Sequence, residues 1–285
     1  MIKLIVLDVD GILIGTKQGY NRPFPSPKVI KYLKELQDKG IPISLCTGKA
    51  SFATKLLAEK ADLNNFHITD AGSLLMDMLT NKVLKIHQIS SEKIIELINL
   101  TEKYQVFWEL FTAENWYIDA KSTSRFIQLH QDSSNITDPI RVADLREVAK
   151  KEILSKAMIF CGPDEVATFK KIFSNFEQDF NFQWATTPSF EPDQLLLITA
   201  PGVNKRSAIK ELCDYYKITP DEVLGVGDTK MDWNFMAVCK YTATVANASD
   251  EMKKLVTDHD GYVGPHVDAD GIIEILEHFQ NEFIF

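Results

Sequence analysis

Short apolar runs along this chain alternate with stretches whose apolar positions recur at helical spacing. The run at 5–7 precedes a helical pattern at 29–37, and the run at 41–46 precedes one at 52–59. Strands this apolar leave no face for water, so the pattern predicts a parallel sheet covered by helices on both sides. The same alternation returns late in the chain, with strands at 195–199, 223–226 and 242–245 separated by helices at 205–216 and 231–238. One sheet is thus split in sequence. Between about 83 and 188 the texture changes, and the aromatic alternation at 106–111 and 115–118 predicts antiparallel strands. Helical spacing at 91–104 and 164–176 and strand-like segments at 153–160 and 182–186 complete an α+β insert. The predicted fold is α/β: a Rossmann-like parallel-sheet core from residues 1–82 and 189–285, carrying an inserted α+β cap at 83–188. Trp108, Trp116 and Tyr117 lie on these strands and are assigned to the cap's core in preference to its inner face. No fixed-period repeat or low-complexity tract suggests an array.

Composition narrows the partners. Of 285 residues, 45% are apolar and 25% charged, which is ordinary globular material. A net charge of −9 without a dense Lys/Arg stripe repels a polyphosphate backbone and argues against nucleic acid. No apolar run approaches the roughly 18 residues of a membrane span, so no membrane partner is expected. The apolar run at 3–7 stops at an aspartate, unlike a signal peptide, and a cytoplasmic location is expected. Cys46, Cys161, Cys213 and Cys239 form no CxxC pair, so they suggest buried thiols and not a zinc site or disulfide framework. None of these features bears on oligomeric state.

Four segments carry candidate chemistry. Asp8-Val9-Asp10-Gly11 ends an apolar strand, where alternate residues share a face beyond the sheet's carboxyl edge, the place at which open α/β sheets bind ligands. Two neighbouring carboxylates repel unless a cation or shared proton relieves them. An EF-hand fails here, because Ile12, Leu13 and Ile14 occupy ligand positions. Thr47-Gly48-Lys49 follows a second strand and opens a helix, a setting that suits phosphate oxygens and also ordinary helix capping. A Walker A loop is excluded by Ile43 and Ala50, and a cysteine phosphatase by Phe52. Lys205 sits at a loop-to-helix junction, where a lysine supplies compact positive charge. Gly225-Val226-Gly227-Asp228-Thr229-Lys230-Met231-Asp232 adds two carboxylates at a third strand end, four residues apart.

In this order, the four segments resemble the haloacid dehalogenase (HAD) superfamily, and the insert resembles the α/β cap of its Cof-type sugar-phosphatase branch. Asp70-Ala71-Gly72 and Val245-Ala246-Asn247-Ala248 are further matches, close to that branch's Asn-Gly-Ala and Met-Gly-Asn-Ala. The resemblance implies a phosphohydrolase of small phosphorylated metabolites with sugar phosphates foremost. It implies Asp8 as nucleophile, Asp10 as acid and then base, and Thr47, Gly48 and Lys205 around the phosphoryl group. Mg²⁺ would be held by the carboxylates of Asp8 and Asp228, the backbone carbonyl of Asp10, and Asp232 directly or through water. The cap would close over the site. Met231, Lys49, Arg206 and Ile12 replace the branch's usual asparagine, arginine, glycine and threonine, which bears on substrate and rate. A sugar phosphomutase and an idle sugar-phosphate-binding protein stay open as alternatives.

Overall fold

The computed structural model describes residues 1–134, 136, 138–186 and 191–284. In chain order the elements begin with β1 (Leu4–Leu7), α1 (Pro27–Asp38), β2 (Ile43–Leu45), α2 (Ser51–Ala61), β3 (His67–Thr69), β4 (Leu74–Asp77) and β5 (Lys82–Ile86). Next come α3 (Ser91–Thr101), β6 (Phe107–Phe111), β7 (Trp116–Asp119), α4 (Phe126–Ser134), β8 (Ile140–Val142), α5 (Leu145–Lys151) and β9 (Lys156–Cys161). α6 (Val166–Phe173), β10 (Asn181–Ala185), β11 (Gln194–Thr199), α7 (Lys205–Tyr216) and β12 (Val223–Val226) follow. The described chain closes with α8 (Lys230–Met236), β13 (Tyr241–Val245), α9 (Asp250–Asp258), β14 (Tyr262–Gly264) and α10 (Gly271–His278). The chain divides into two compact units, one of residues 1–48, 54–84 and 205–285 and a second of 49–53 and 85–204. The expected junction at 188–189 lies outside the described residues. Among the described residues no helix is long and apolar enough to cross a membrane.

The first unit holds a parallel sheet in the order β14-β13-β12-β1-β2. All four residues of β1 are buried, as its unbroken apolar run requires. Leu4 and Val6 pack with Ala208, Ile209 and Leu212 of α7, Phe235 and Met236 of α8, and Met252 and Val256 of α9. By the period of two, Ile5 and Leu7 serve the opposite face. α1 begins at a Ser26 cap whose Oγ accepts from the Val29 amide, with Pro27 in the first turn. Its buried stripe is Val29, Leu33 and Leu36, and Gly40, at φ +94°, supplies the left-handed residue just beyond its end. Chain order reverses beside β1, which has β2 on one side and β12 on the other, so a crevice opens at the carboxyl ends of these three strands.

The second unit is a six-stranded mixed sheet, β10-β11-β9-β6-β7-β8, antiparallel except where β7 meets β8. α3, α5 and α6 bury Leu97, Val148, Phe169 and Phe173 against Trp108, Leu110, Ile159, Leu196 and Ile198. Trp108, Trp116 and Tyr117 are all buried, as expected. The segment 195–199, expected in the parallel core, belongs instead to this mixed sheet. It forms β11, which pairs antiparallel with β9 and β10. A run of consecutive apolar residues signals burial on both faces, and a central strand of a mixed sheet meets that condition as well as a parallel one. The sequence pattern also gave no sign of α4. Phe126 of this helix stacks on Phe160 at 4.7 Å, and His130 Nδ1 lies 2.8 Å from Glu109 Oε2, so α4 covers part of the sheet face opposite α3, α5 and α6.

Candidate active site

The crevice gathers residues from three strand ends and two helix starts. Asp8 directly follows β1, and its amide continues the ladder by donating to Val226 at 2.9 Å. Asp228 stands two residues beyond β12, and Asp232 lies in the first turn of α8. Each of these three offers a carboxylate oxygen within 4.8 Å of the others. Lys205 opens α7 and places Nζ 2.6 Å from Asp8 Oδ1 and 2.6 Å from Asp232 Oδ1. Its side chain is 12% exposed. Three carboxylates face this one ammonium.

Local structure fixes these groups in place. Thr229 caps α8 in a capping box: its amide and Oγ1 donate to Asp232 Oδ2 at 3.0 and 2.6 Å, while Oδ1 is kept for Lys205. Gly11 has φ +78°, and a Cβ there would fall 2.0 Å from Asp228 Oδ2, so this position requires glycine twice over. Burial raises the Asp8 carboxyl well above its usual range, with Asp232 adding to the shift against the pull of Lys205. Asp228 is pushed up to about 7, first by burial and then by Asp232. Burial opposes the charge on Lys205, yet Asp232 and Asp8 more than offset it and raise its pKa well above that of free lysine.

Asp10 lies on the turn after Asp8 and is exposed; its carboxylate is not among the three clustered ones. Thr47 is buried at the end of β2, its amide donating to Ile68 and its carbonyl accepting from Ala71. A Cβ at Gly48 would meet no atom within 4 Å, so the space before it is open. The Ala71 contact comes from a turn visible in the sequence only as a motif match. Asp70 and Ala71 both adopt left-handed backbone, at φ 52° and 56°, which costs energy for non-glycine residues and marks a turn shaped by its surroundings.

The donor set suits a hard divalent cation. All three side chains offer oxygen, the carboxylates outnumber the one ammonium that contacts them, and Asp228 Oδ1 is buried with no hydrogen-bond partner.

A family profile described as haloacid dehalogenase-like hydrolase matches residues 5–276. The chain belongs to that family. Among relatives of this HAD-like hydrolase, one 5-amino-6-(5-phospho-D-ribitylamino)uracil phosphatase of Bacillus subtilis is 22% identical over 278 residues, covering 98% of this chain and 96% of the relative. A HAD-like hydrolase from Bacteroides thetaiotaomicron shares the fold at a TM-score of 0.84 and 17% identity, with 98% of this chain and 100% of that one covered. A sugar phosphatase of HAD subclass IIB does so at 0.77 and 18%, over 98% and 99%. The chain is therefore a HAD-like phosphatase, a hydrolase of phosphoric monoesters, of the Cof-type branch that carries this α/β cap. Met231, where the branch commonly has asparagine, is 40% exposed in this hydrolase and flanks the buried Asp232.

Proposed function

We propose that this HAD-like hydrolase is a Mg²⁺-dependent phosphatase of small phosphorylated metabolites, sugar phosphates among them, working through an aspartyl phosphate on Asp8. The observation that carries the reading is the buried Asp8–Lys205–Asp232 arrangement with Asp228 beside it, at the point where the sheet reverses its order. The carboxylates of Asp8 and Asp228 and the Asp10 carbonyl would hold Mg²⁺, with Asp232 directly or through water, and the ion would supply positive charge toward the phosphoryl oxygens.

Lys205 anchors Asp8 Oδ1 and so orients the carboxylate for attack. An Asp8 oxygen forms a bond to phosphorus as the ester P–O bond breaks, and Asp10 gives its proton to the departing oxygen. Asp10, now a carboxylate, takes a proton from water, whose oxygen attacks the aspartyl phosphate. Inorganic phosphate leaves and Asp8 is regenerated. Thr47 and Gly48 line the phosphoryl position, and the ammonium of Lys205 counters charge on its oxygens.

Phosphate release from a panel of sugar phosphates, a nucleotide and pyridoxal phosphate, with Mg²⁺ and with EDTA, tests this reading. Release that depends on the metal and falls at least about 10³-fold in Asp8→Asn is expected. Turnover that survives Asp8→Asn contradicts the nucleophile. No release from any compound points to a mutase, in which Asp8 passes its phosphoryl group to a sugar instead of to water, or to an idle binding protein.

A further inference from the structure

Asn247, just beyond β13, joins two backbone segments that are remote in sequence. Its Nδ2 donates to the Gly11 carbonyl at 2.9 Å, and its Oδ1 accepts from the Val267 amide at 2.9 Å. These partners settle which end of the amide is which, because a carbonyl only accepts and an amide N–H only donates. Aspartate at this position keeps the Val267 bond but sets a carboxylate oxygen against the Gly11 carbonyl.

The Gly11 turn is internally braced. The Gly11 amide donates to Ile14 at 2.8 Å, and the Leu13 and Ile14 amides both donate to Val9 at 2.9 Å. Gly11 also rests against Asp228, since a Cβ there would overlap its Oδ2. A braced turn moves as one piece. Asn247 ties this piece, with Asp10 in it, to the segment after β14 at Gly11 itself, while Asp268 of that segment holds the same loop further on, at Thr16 and Asn21.

We propose that Asn247 is a positioning residue for the Asp10 carboxyl, acting through the Gly11 carbonyl and thereby setting proton delivery to the leaving oxygen. The proposal rests on the reading of Asp10 as general acid. Loss of the tie lets the turn shift, and a poorly placed acid matters most when the leaving group is basic. A purely structural role for Asn247 lowers turnover of all esters alike.

The test compares kcat and KM on phenyl phosphate and on para-nitrophenyl phosphate, whose leaving anion needs little protonation. Wild type, Asn247→Asp, Asn247→Ala and Asp10→Asn are measured at saturating Mg²⁺, with thermal melts of each. For both Asn247 variants kcat/KM, which reports departure of the leaving group and not the later hydrolysis of the aspartyl phosphate common to both esters, is expected to fall roughly 10- to 100-fold on phenyl phosphate, and the loss on the nitrophenyl ester to be several-fold smaller. Asp10→Asn is expected to show the same selectivity more strongly. Selective loss in Asp10→Asn with equal losses on both esters in the Asn247 variants overturns the proposal alone. Equal losses in Asp10→Asn, or no turnover of either ester by wild type, remove the general-acid reading and the proposal with it. If both Asn247 variants melt below the assay temperature, the tie is structural and the proposal fails.

Discussion

Lys205 lies between Asp8 and Asp232, 2.6 Å from an oxygen of each, with only 12% of its side chain exposed. Removing one partner of a buried ionic set leaves uncompensated charge, which commonly costs about 3–5 kcal/mol. Lys205→Met should therefore destabilise the metal-free protein by that order while lowering kcat by on the order of 10²-fold or more. Because the lost ammonium leaves three carboxylates facing one another, added Mg²⁺ should raise the melting temperature of the variant more than that of wild type. Equal shifts in the two proteins would show that the cation and the lysine do not relieve the same charges. Asp8, Asp228 and Asp232 were legible as candidates because acids at strand ends are unusual in pairs. Asn247 was visible only as part of a motif, since its bonds to Gly11 and Val267 span 236 and 20 residues.

At the level of elements, His67 fastens β3 to its neighbours. It is buried on β3, its Nδ1 accepts from the Leu45 amide at 3.0 Å, and its Nε2 lies 3.1 Å from the Leu63 carbonyl, to which it donates. Those partners require the neutral ring, since a proton on Nδ1 would face another N–H. Burial accordingly pulls its pKa down to about 4, against the smaller opposing effect of the Leu63 carbonyl. A histidine that is harder to protonate when folded contributes stability present above its unfolded pKa of about 6.5 and lost as pH falls toward 4. Between these values the loss from this residue is about 3 kcal/mol, and it should be largely absent in His67→Gln. Urea unfolding of both proteins at pH 7 and pH 5 reads about 2 kcal/mol of it; parallel losses in the two would assign the acid sensitivity to other groups. The sequence pattern gave no β3, because a three-residue strand beginning with histidine is too short to register.

At the scale of the whole molecule, two hydrophobic clusters among the described residues follow the division of the chain. One runs from Ile89 to Val203 and lies wholly within the cap; another runs from Leu4 to Val256 without using any residue of 85–204. A unit with its own closed core has the physical means to fold alone. The fragment 85–204 is expected to give native-like far-ultraviolet circular dichroism and a cooperative thermal transition. A broad, non-cooperative melt with strong binding of a hydrophobic dye would show that its core needs the rest of the chain. Insertion of such a unit explains why the alternation of strands and helices breaks near residue 83 and resumes later in the chain.

By itself the sequence determined the fold class, the presence of an inserted cap and the positions of most core strands and helices, because local periodicity reports burial directly. It also placed Asp8, Thr47 and Asp228 at strand ends and Lys205 and Asp232 at helix starts, since acids and permissive turns interrupt otherwise apolar runs. The tertiary structure alone decided which sheet residues 195–199 join, because burial on both faces names no partner strand. It alone set α4 across one face of the cap sheet, seated Lys205 between two acids and tied Asn247 to Gly11. Each of these is a long-range pairing fixed by topology and register, and periodicity in one stretch of chain carries no information about the stretch that will lie against it.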